Sequence, residues 1–460
     1  MKTFKLIDYL FVYKLFILVV FLAATTVHTA PIYNFGIYIG VLFGVGLIFV
    51  CLHRKIIKLK KIDYFLIAFV LFYCVTMLLN IESGIFRQAF VLLCCVMYFF
   101  SFLCIDAISI EKARKEFDLI LVVVLVFSFI ATILSLIAVY YDATNGNINS
   151  FHLAWGNKFQ MKGIYSGIST CAVVTGLSAI ISFYFIIKQS LKRKSVLFIA
   201  FNIINFLIQD LTLTLTYTSA GVVTFGGALF LGLIFFFIKR FGKNIIFNVI
   251  FILLSIGIII INYNITTIVG NNYVDNISNI YNAAVTGENE ITSDKGNNSQ
   301  ESAGEQETVI HENESTSEIF SSNGRLPIWI SAISQWKDSP FFGIGYGNFY
   351  YSFEVESERG IQLIEYKNIH NGYLEVLVAC GAAGFSAIMI FGGYYIFKLI
   401  YNVLKSNQYY NEIGIVIIIV YLCIYALINQ LFILDRCINT FLLVTFLGMA
   451  RKMNSKELEE

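Results

Sequence analysis

Twelve long runs of apolar residues follow one another along the 460-residue chain, and they constrain its fold more than any other feature. Crossing the hydrocarbon of a membrane takes about 20 such residues in a helix. Only 13% of the residues are charged, against about 25% in soluble globular chains. In lipid, only helices and closed barrels satisfy the backbone, and these runs are too long for barrel strands. The sequence therefore predicts an all-α integral membrane protein with about 12 transmembrane helices.

The apolar runs divide the chain into three parts. Nine predicted helices occupy residues 1–262, and three more, with a cytoplasmic tail, occupy residues 372–460. Between them, residues 263–371 form a large predicted loop. Within it, residues 286–318 contain nine acidic residues and one basic residue, and this composition predicts a disordered insertion. Residues 325–337 predict an amphipathic helix, because Trp, Ala, Ile and Trp recur there at i, i+3, i+4 and i+7.

The distribution of Lys and Arg predicts the orientation in the membrane. With the N-terminus in the cytoplasm, 23 of the 32 basic residues fall in cytoplasmic segments and 9 fall outside. Every connection from an even-numbered to an odd-numbered helix is then basic, as the positive-inside rule requires. We therefore expect both termini in the cytoplasm and residues 263–371 outside.

Several classes of site are not indicated. The nine cysteines are scattered over the apolar runs without a metal-binding spacing, so we expect neither a metal site nor disulfides. The glycine-rich segment 343–347 has no preceding strand and no following Gly-Lys-Ser/Thr, so it is not a nucleotide loop. The sequence has no Asp-x-Asp motif, which would be typical of a metal-assisted sugar-nucleotide transferase. The net charge of +2 singles out no partner, and we expect no cofactor and no nucleic acid.

Arginine is enriched among the basic residues that are predicted to lie outside. Four of those nine are Arg, against 5 of the 23 inside. The guanidinium can grip phosphate oxygens with two parallel hydrogen bonds, which Lys cannot do. Arg325 begins the predicted amphipathic helix, where the helix dipole favours anions. Phosphate binding and snorkelling to lipid headgroups both stay open for this residue.

A polar run stands where the loop re-enters the membrane. His370 is a candidate general base or diphosphate contact, although a surface histidine often has no function. Glu375 lies one turn after Asn371 inside an apolar helix. Burying a carboxylate there is energetically costly, so we expect Glu375 to have a functional role or an ion-pair partner. On the seventh helix, Asn205 and Gln209 belong to a polar stripe that favours interhelical hydrogen bonds.

Two segments resemble known motifs. Residues 324–329 (GRLPIW) and 338–349 (DSPFFGIGYGNF) resemble the loop signature of the O-antigen ligase/polymerase superfamily. Residues 370–375 (HNGYLE), with Gly381 and Gly384, resemble the motif that follows it. The resemblance implies a fold like that of GT-C type glycosyltransferases, which use no nucleotide sugar.

The resemblance also implies a reaction and its partners. A glycan would pass from a polyprenyl-diphosphate-linked oligosaccharide to an acceptor glycan at the outer face of the bacterial cytoplasmic membrane. The lipid bilayer and other polysaccharide-assembly proteins are the further expected partners. The family's loop Arg and loop His fall on Arg325 and His370, the expected catalytic residues together with Glu375.

One departure from the family affects the choice of substrate contacts. Many members have a Ser-Arg-Gly triplet at the start of the eighth helix, where this chain has Ala220 in place of the Arg. Another cation is expected to substitute for it. The candidate substrate-binding residues are Arg87, Lys162, Arg436, Tyr346, Asn348 and Asn371.

The expected function is polymerisation of lipid-linked repeat units of a capsule, O-antigen or exopolysaccharide. Ala220 and the Lys-, Asn- and Ile-rich composition favour it over a ligase that uses the same donor with a different acceptor. A lipid-glycan flippase, which is not an enzyme, would need charges lining a cavity open to both sides. In a binding or scaffold protein, Arg325 and His370 would be replaceable.

The predicted orientation is tested by cysteine labelling in a cysteine-free background. Gln300→Cys in the large loop should react with a membrane-impermeant reagent on intact cells, whereas Glu457→Cys in the tail should react only after permeabilisation. The opposite labelling pattern would overturn both the orientation and a reaction at the outer face.

Overall fold

The structure is a computed structural model of the chain, and we describe eleven segments of it: residues 2–26, 30–81, 84–154, 158–192, 195–241, 245–293, 322–357, 360–405, 410–429, 432–434 and 437–454. The α-helices in these segments are α1 (Lys2–Ala24), α2 (Ala30–His53), α3 (Asp63–Leu79), α4 (Ile85–Leu103), α5 (Ile110–Thr144), α6 (Ile168–Lys192), α7 (Val196–Leu215), α8 (Ser219–Phe241), α9 (Ile245–Ser293), α10 (Ser322–Trp336), α11 (Gly372–Lys405), α12 (Tyr410–Ile428) and α13 (Ile438–Asn454). A short 3-10 helix, Cys104–Ala107, follows α4. The strands are β1 (Phe151–Ala154), β2 (Lys158–Met161), β3 (Tyr351–Ser357) and β4 (Gly360–Tyr366).

A helix lies over each of the predicted apolar runs. Among the described residues, eight helices are long and apolar enough to cross a membrane. They lie within α2, α4, α5, α6, α7, α8, α9 and α11, and α1, α3 and α12 contain shorter apolar helices. The structure thus confirms a mainly helical, multi-pass membrane protein, whereas the number of twelve spans stays a prediction.

Two short antiparallel hairpins accompany the helices. β1 pairs with β2, with Phe151 opposite Met161. β3 pairs with β4, with Tyr351 opposite Tyr366. Both hairpins are built from short strands in which apolar residues alternate with polar ones, a pattern that is weak over so few residues.

α9 continues well beyond residue 262, where the sequence predicts the start of the loop. It remains helical to Ser293, and Val274 and Ile277 on its extension are buried against Phe151 and Phe159 of the first hairpin. This packing explains why the helix persists after the apolar run has ended, because tertiary burial outweighs composition. The predicted disordered insertion, residues 286–318, lies outside the described residues from position 294 onwards.

Ion pairs between helices define one end of the bundle, which we call the basic end. Lys14 Nζ lies 3.2 Å from Glu116 Oε2 and joins α1 to α5, with both side chains buried. Arg451 Nη1 lies 2.5 Å from Asp63 Oδ2 and joins α13 to α3. The opposite end, where α10 and the β3–β4 hairpin lie, is called the loop end.

The loop end has a small hydrophobic core of its own. Ile328 and Ala332 of α10 are buried together with Phe349, Ile369 and Val378. The tryptophans of α10 bind the loop: Trp329 Nε1 donates to Ile369 O and Trp336 Nε1 to Pro340 O, each at 3.0 Å. α10 thus covers the predicted amphipathic helix, but its buried face is centred on Ile328 and Ala332, and Ile333 is 41% exposed.

α11 is interrupted at Gly381, whose backbone is not helical (φ 65°, ψ −178°). Residues 340–345 lie in this break and supply the hydrogen bonds that the helix lacks there. Four backbone bonds join the two segments: Ile344 N to Val378 O (2.9 Å), Gly345 N to Ala379 O (3.1 Å), Ala382 N to Pro340 O (2.9 Å) and Ala383 N to Phe341 O (3.2 Å). Inside a membrane protein, irregular backbone is tolerated only where protein groups satisfy it in this way.

Gly381→Ala should destabilise the protein. A β-carbon at Gly381 would overlap the Phe341 carbonyl, and its positive φ strains any other L-residue. We expect a loss of at least about 2 kcal/mol, measured by unfolding of the purified protein. Gly392→Ala on the same helix is the matched control, because a β-carbon there meets no atom within 4 Å. Equal stability of the two variants would contradict the role of the break.

Candidate functional site

Arg325 lies in the first turns of α10 and reaches the end of another helix. Its Nη1 donates to the carbonyl of Ile428, the last residue of α12, at 2.6 Å. Its Nε is buried and has no hydrogen-bond partner among the described residues. Burial lowers the pKa of Arg325 from its ordinary value, and Tyr425 opposes this lowering. The guanidinium is therefore held through Nη1, and its other N–H groups are left to donate to a ligand.

His370 lies near Arg325, in a strained backbone conformation. Its φ of 54° falls in the left-handed region, which a non-glycine residue adopts at a cost of about 1–2 kcal/mol. Its ring makes an edge contact with Tyr366, with 6.4 Å between ring centroids. Burial, and then the charge of Arg325, lower the pKa of His370 to about 4. His370 is therefore neutral at physiological pH and can accept a proton.

Asn371 and Glu375 occupy the start of α11. Asn371 Oδ1 accepts from the backbone N–H groups of Tyr373 (3.1 Å) and Leu374 (3.0 Å), as an N-cap does. Its carbonyl accepts from Glu375 N at 2.9 Å. The Asn371 side chain thus orients the helix that follows His370. Glu375 lies half-buried in the first turn of that helix.

Arg87 lies beside the glycine-rich segment 343–347. Its guanidinium carbon is 5.5 Å from the centroid of the Tyr346 ring, within the range of a cation–π contact. A β-carbon at Gly347 would lie 2.5 Å from the same carbon, so only glycine allows this approach. Arg87 is exposed and makes no hydrogen bond in the described part of the chain. It is a second arginine at the loop end with donors left for a ligand.

Asn348 and Gln88 support this segment from within. Asn348 Nδ2 donates to Ile344 O at 2.6 Å, which closes the turn. Gln88 is fully buried and faces Gly345, and its Oε1 has no hydrogen-bond partner among the described residues. The sequence analysis missed Gln88, although a polar residue next to Arg87 at the start of an apolar run is a signal that could have found it.

The other two candidate cations are Lys162 and Arg436. Lys162 follows β2 and is half-buried, and its backbone N donates to Ser150 O at 3.0 Å. Within the described residues its side chain makes no hydrogen bond or ion pair. Arg436 lies outside the described residues. Ala220 is buried in the first turn of α8.

Tyr425 and Asn429 form a support for Arg325 that the sequence did not reveal. Tyr425 OH donates to Ser169 O at 3.1 Å, and Asn429 Nδ2 donates to Tyr425 OH at 3.0 Å. The carbonyl of Asn429 accepts from Gly372 N at 2.9 Å, which joins the end of α12 to the start of α11. A tyrosine in an apolar helix looks like ordinary core, so no sequence signal marks it.

The polar stripe of α7 is structural, as the favoured interpretation holds. Asn205 Nδ2 donates to Ser182 Oγ of α6 at 2.7 Å. Gln209 Oε1 accepts from Thr132 Oγ1 of α5 at 3.0 Å. The stripe therefore joins three helices by buried hydrogen bonds.

A family model described as O-Antigen ligase matches residues 204–389. These residues are therefore similar to the O-antigen ligase/polymerase superfamily. The match confirms the predicted resemblance, and it spans Arg325, His370 and Glu375 together with Tyr346, Asn348 and Asn371. No curated protein matches the chain.

The family's members are glycosyltransferase-like enzymes. Among the described residues, no three His, Cys, Asp or Glu side chains are grouped so that they could hold a metal ion. At the loop end, the guanidinium of Arg325 lies close enough to the imidazole of His370 to lower its pKa.

The unusual pKa of His370 can be measured directly. In protein labelled with ¹³C-histidine, the resonance that disappears in His370→Gln should titrate near pH 4. Removing the positive charge in Arg325→Gln should raise this midpoint, because the charge of Arg325 lowers the pKa. A midpoint near 6.5 in the unsubstituted protein would contradict the burial of His370, and an unchanged midpoint in Arg325→Gln would contradict its proximity to Arg325.

Proposed function

We propose that the protein is a polymerase that transfers a glycan from a polyprenyl-diphosphate-linked oligosaccharide to a hydroxyl of an acceptor glycan. The product is a longer chain of a capsule, O-antigen or exopolysaccharide. The match over residues 204–389 supports an enzyme of this general type. The donor, the acceptor and a metal-independent reaction in a GT-C type fold are the finer parts of the proposal.

The state of the Arg325 guanidinium carries the proposal. This group has five N–H donors, and among the described residues it makes one hydrogen bond, from Nη1 to a carbonyl. Its buried Nε has no partner there. A partly desolvated guanidinium gains from acceptors for its remaining N–H groups, so a ligand that brings acceptor oxygens is favoured. A diphosphate supplies them in the planar geometry that a guanidinium matches.

The proposed reaction needs a stabilised leaving group more than it needs an acid. The acceptor hydroxyl attacks the anomeric carbon, and the bond between that carbon and the diphosphate oxygen breaks. Both bonding electrons leave with the lipid diphosphate, where Arg325 neutralises the developing charge. The imidazole of His370, neutral before the reaction, takes the proton of the acceptor hydroxyl once the negative diphosphate offsets the charge of Arg325. Glu375 is the weaker candidate for the same proton.

Further contacts to the substrates are proposed from the remaining candidates. Arg87 has the strongest support, because its guanidinium is exposed at Tyr346 and Gly347. Lys162 and Arg436 are proposed to contact phosphate or sugar in place of the family Arg that Ala220 replaces. Asn348 and Asn371 are assigned a positioning role, since their side chains hold backbone groups beside the site.

The proposed location is the cytoplasmic membrane of a bacterium, with both termini in the cytoplasm and the loop end outside. The excess of Lys and Arg in the connections at the other end supports this orientation. A donor carried on polyprenyl diphosphate would then reach Arg325 from the outer leaflet, with its lipid tail between helices.

A ligase is the second candidate, and the description of the family model favours it. It would use the same donor and the same roles of Arg325 and His370 but a different acceptor. The two are distinguished by supplying purified lipid-linked repeat units alone. A polymerase forms longer chains from them, whereas a ligase needs a second acceptor.

Substitutions at Arg325 and His370 test the mechanism. Arg325→Ala should lower the rate of chain elongation by reconstituted enzyme about 100- to 1,000-fold. Arg325→Lys should be nearly as slow, because an ammonium cannot reproduce two parallel hydrogen bonds. His370→Ala should cost a comparable factor. The assay contains lipid-linked repeat units and neither nucleotide nor divalent metal.

Lys337→Ala is the matched control, because Lys337 directly follows α10 and is exposed. It should retain the full rate. The unfolding temperature of each variant shows whether a lower rate reflects lost catalysis or a protein destabilised by losing the Arg325–Ile428 hydrogen bond. An Arg325→Ala enzyme with the unsubstituted rate, or an absolute need for a sugar nucleotide, would overturn the mechanism in favour of a flippase or another transferase.

A further inference from the structure

A cavity of about 430 Å³ lies at the basic end of the bundle, remote from Arg325. Its walls come from the connection before α3, from the start of α3 and from the second half of α11. Three lysines line it, Lys60, Lys61 and Lys398, together with aromatic side chains that include Phe65 and Tyr394. Its volume is within the range of about 300–1,000 Å³ that is typical of small-molecule sites.

The acidic residues near this cavity are already bound by an arginine. Arg451 is fully buried, and its Nη1 contacts Asp63 Oδ2 at 2.5 Å. Its Nε and Nη2 donate to Asp106 Oδ2 at 2.9 and 2.7 Å. Asp63 also accepts from the buried Tyr395 hydroxyl at 2.9 Å. These two carboxylates are therefore committed to joining α13 to α3 and to the 3-10 helix that follows α4.

The lysines of the cavity are left with little counter-charge. Lys60 Nζ is 3.8 Å from Asp106 Oδ2, a long contact to a carboxylate that Arg451 already binds. Among the described residues, Lys61 and Lys398 have no ion-pair partner. Burial lowers the pKa of Lys60, and the charges of Arg451 and Lys398 add to this lowering while Asp106 and Asp63 oppose it. An anion in the cavity would reverse these unfavourable effects.

One side of the cavity is apolar and open. Phe65 is 38% exposed, Tyr394 is 43% exposed, and Phe397 on the next turn of α11 is 72% exposed. Phe65 lies at the start of α3, and Tyr394 and Phe397 lie in the second half of α11, so all three are near the end of an apolar helix. Aromatic rings in such a position are typical of the boundary between lipid chains and headgroups. The cavity thus offers positive charge on one side and a surface for lipid chains on the other.

We propose that this cavity binds a phosphate-bearing anion, and that its occupant is the headgroup of an anionic phospholipid. The phosphodiester lies among Lys60, Lys61 and Lys398, and the acyl chains lie along Phe65 and Tyr394. Basic pockets between membrane helices are suited to such headgroups. The site is separate from the glycan-transfer chemistry, and it holds whether or not the proposed function is correct.

Native mass spectrometry of the full-length protein tests this proposal with phosphatidylglycerol and phosphatidylcholine as probes. The unsubstituted protein should retain phosphatidylglycerol in preference to phosphatidylcholine. Lys61→Gln combined with Lys398→Gln should weaken phosphatidylglycerol binding about 25-fold, which is about five-fold for each lysine. Lys61→Arg combined with Lys398→Arg keeps both charges and should retain the binding.

Lys115→Gln combined with Lys405→Gln is the matched control, because it removes two exposed lysines outside the cavity. It should bind phosphatidylglycerol as the unsubstituted protein does. Equal retention of the two lipids, or equal loss in the cavity and control variants, would overturn the proposal. Displacement of the lipid by inorganic phosphate alone would overturn the lipid as the occupant, because a free anion would then suffice.

Discussion

The hydrogen bonds between residues 340–345 and the interrupted helix α11 are the constraint on which the loop end depends. Gly381 breaks the helix, and Gly343 allows the incoming segment to approach it, since a β-carbon there would lie 2.5 Å from Gly381 N. The Thr76 hydroxyl of α3 donates to the Phe342 carbonyl and fixes the same segment to a third element. Irregular backbone is tolerated within an apolar bundle where protein groups satisfy it in this way. The glycines of the motif are thus explained by backbone geometry, without nucleotide binding.

These hydrogen bonds also fix the positions of the charged residues at the loop end. Trp336 binds Pro340 at the start of the inserted segment, and Trp329 binds Ile369, the neighbour of His370. α10 is therefore fixed at both of its tryptophans, and Arg325 at its start reaches the end of α12. The strained φ of His370 is maintained by the structured residues on either side of it. A catalytic group needs such a support, because small displacements are costly in rate.

Much of the fold could be predicted from the sequence, because lipid imposes a simple rule on backbone hydrogen bonds. Apolar runs therefore identified helices, and the Arg and His of a loop motif identified two side chains that lie close together. The break at Gly381 could not be predicted, since it depends on a segment about 40 residues earlier in the chain. The extension of α9 and the first hairpin depend on each other's packing, which local composition does not report. The burial that keeps His370 neutral is likewise a property of the assembled loop.

Two arginines at opposite ends of the bundle show how partners decide the role of a buried charge. Arg451 is surrounded by Asp63 and Asp106, so its charge is balanced within the protein and holds helices together. Arg325 is half-buried and has no carboxylate partner among the described residues, and its one hydrogen bond goes to a neutral carbonyl. Together with burial, its charge lowers the pKa of His370. A cation that is partly desolvated and not balanced by the protein is stabilised most by an anionic ligand. The loop end is therefore a better candidate for diphosphate chemistry than the opposite end, although the opposite end carries more basic residues.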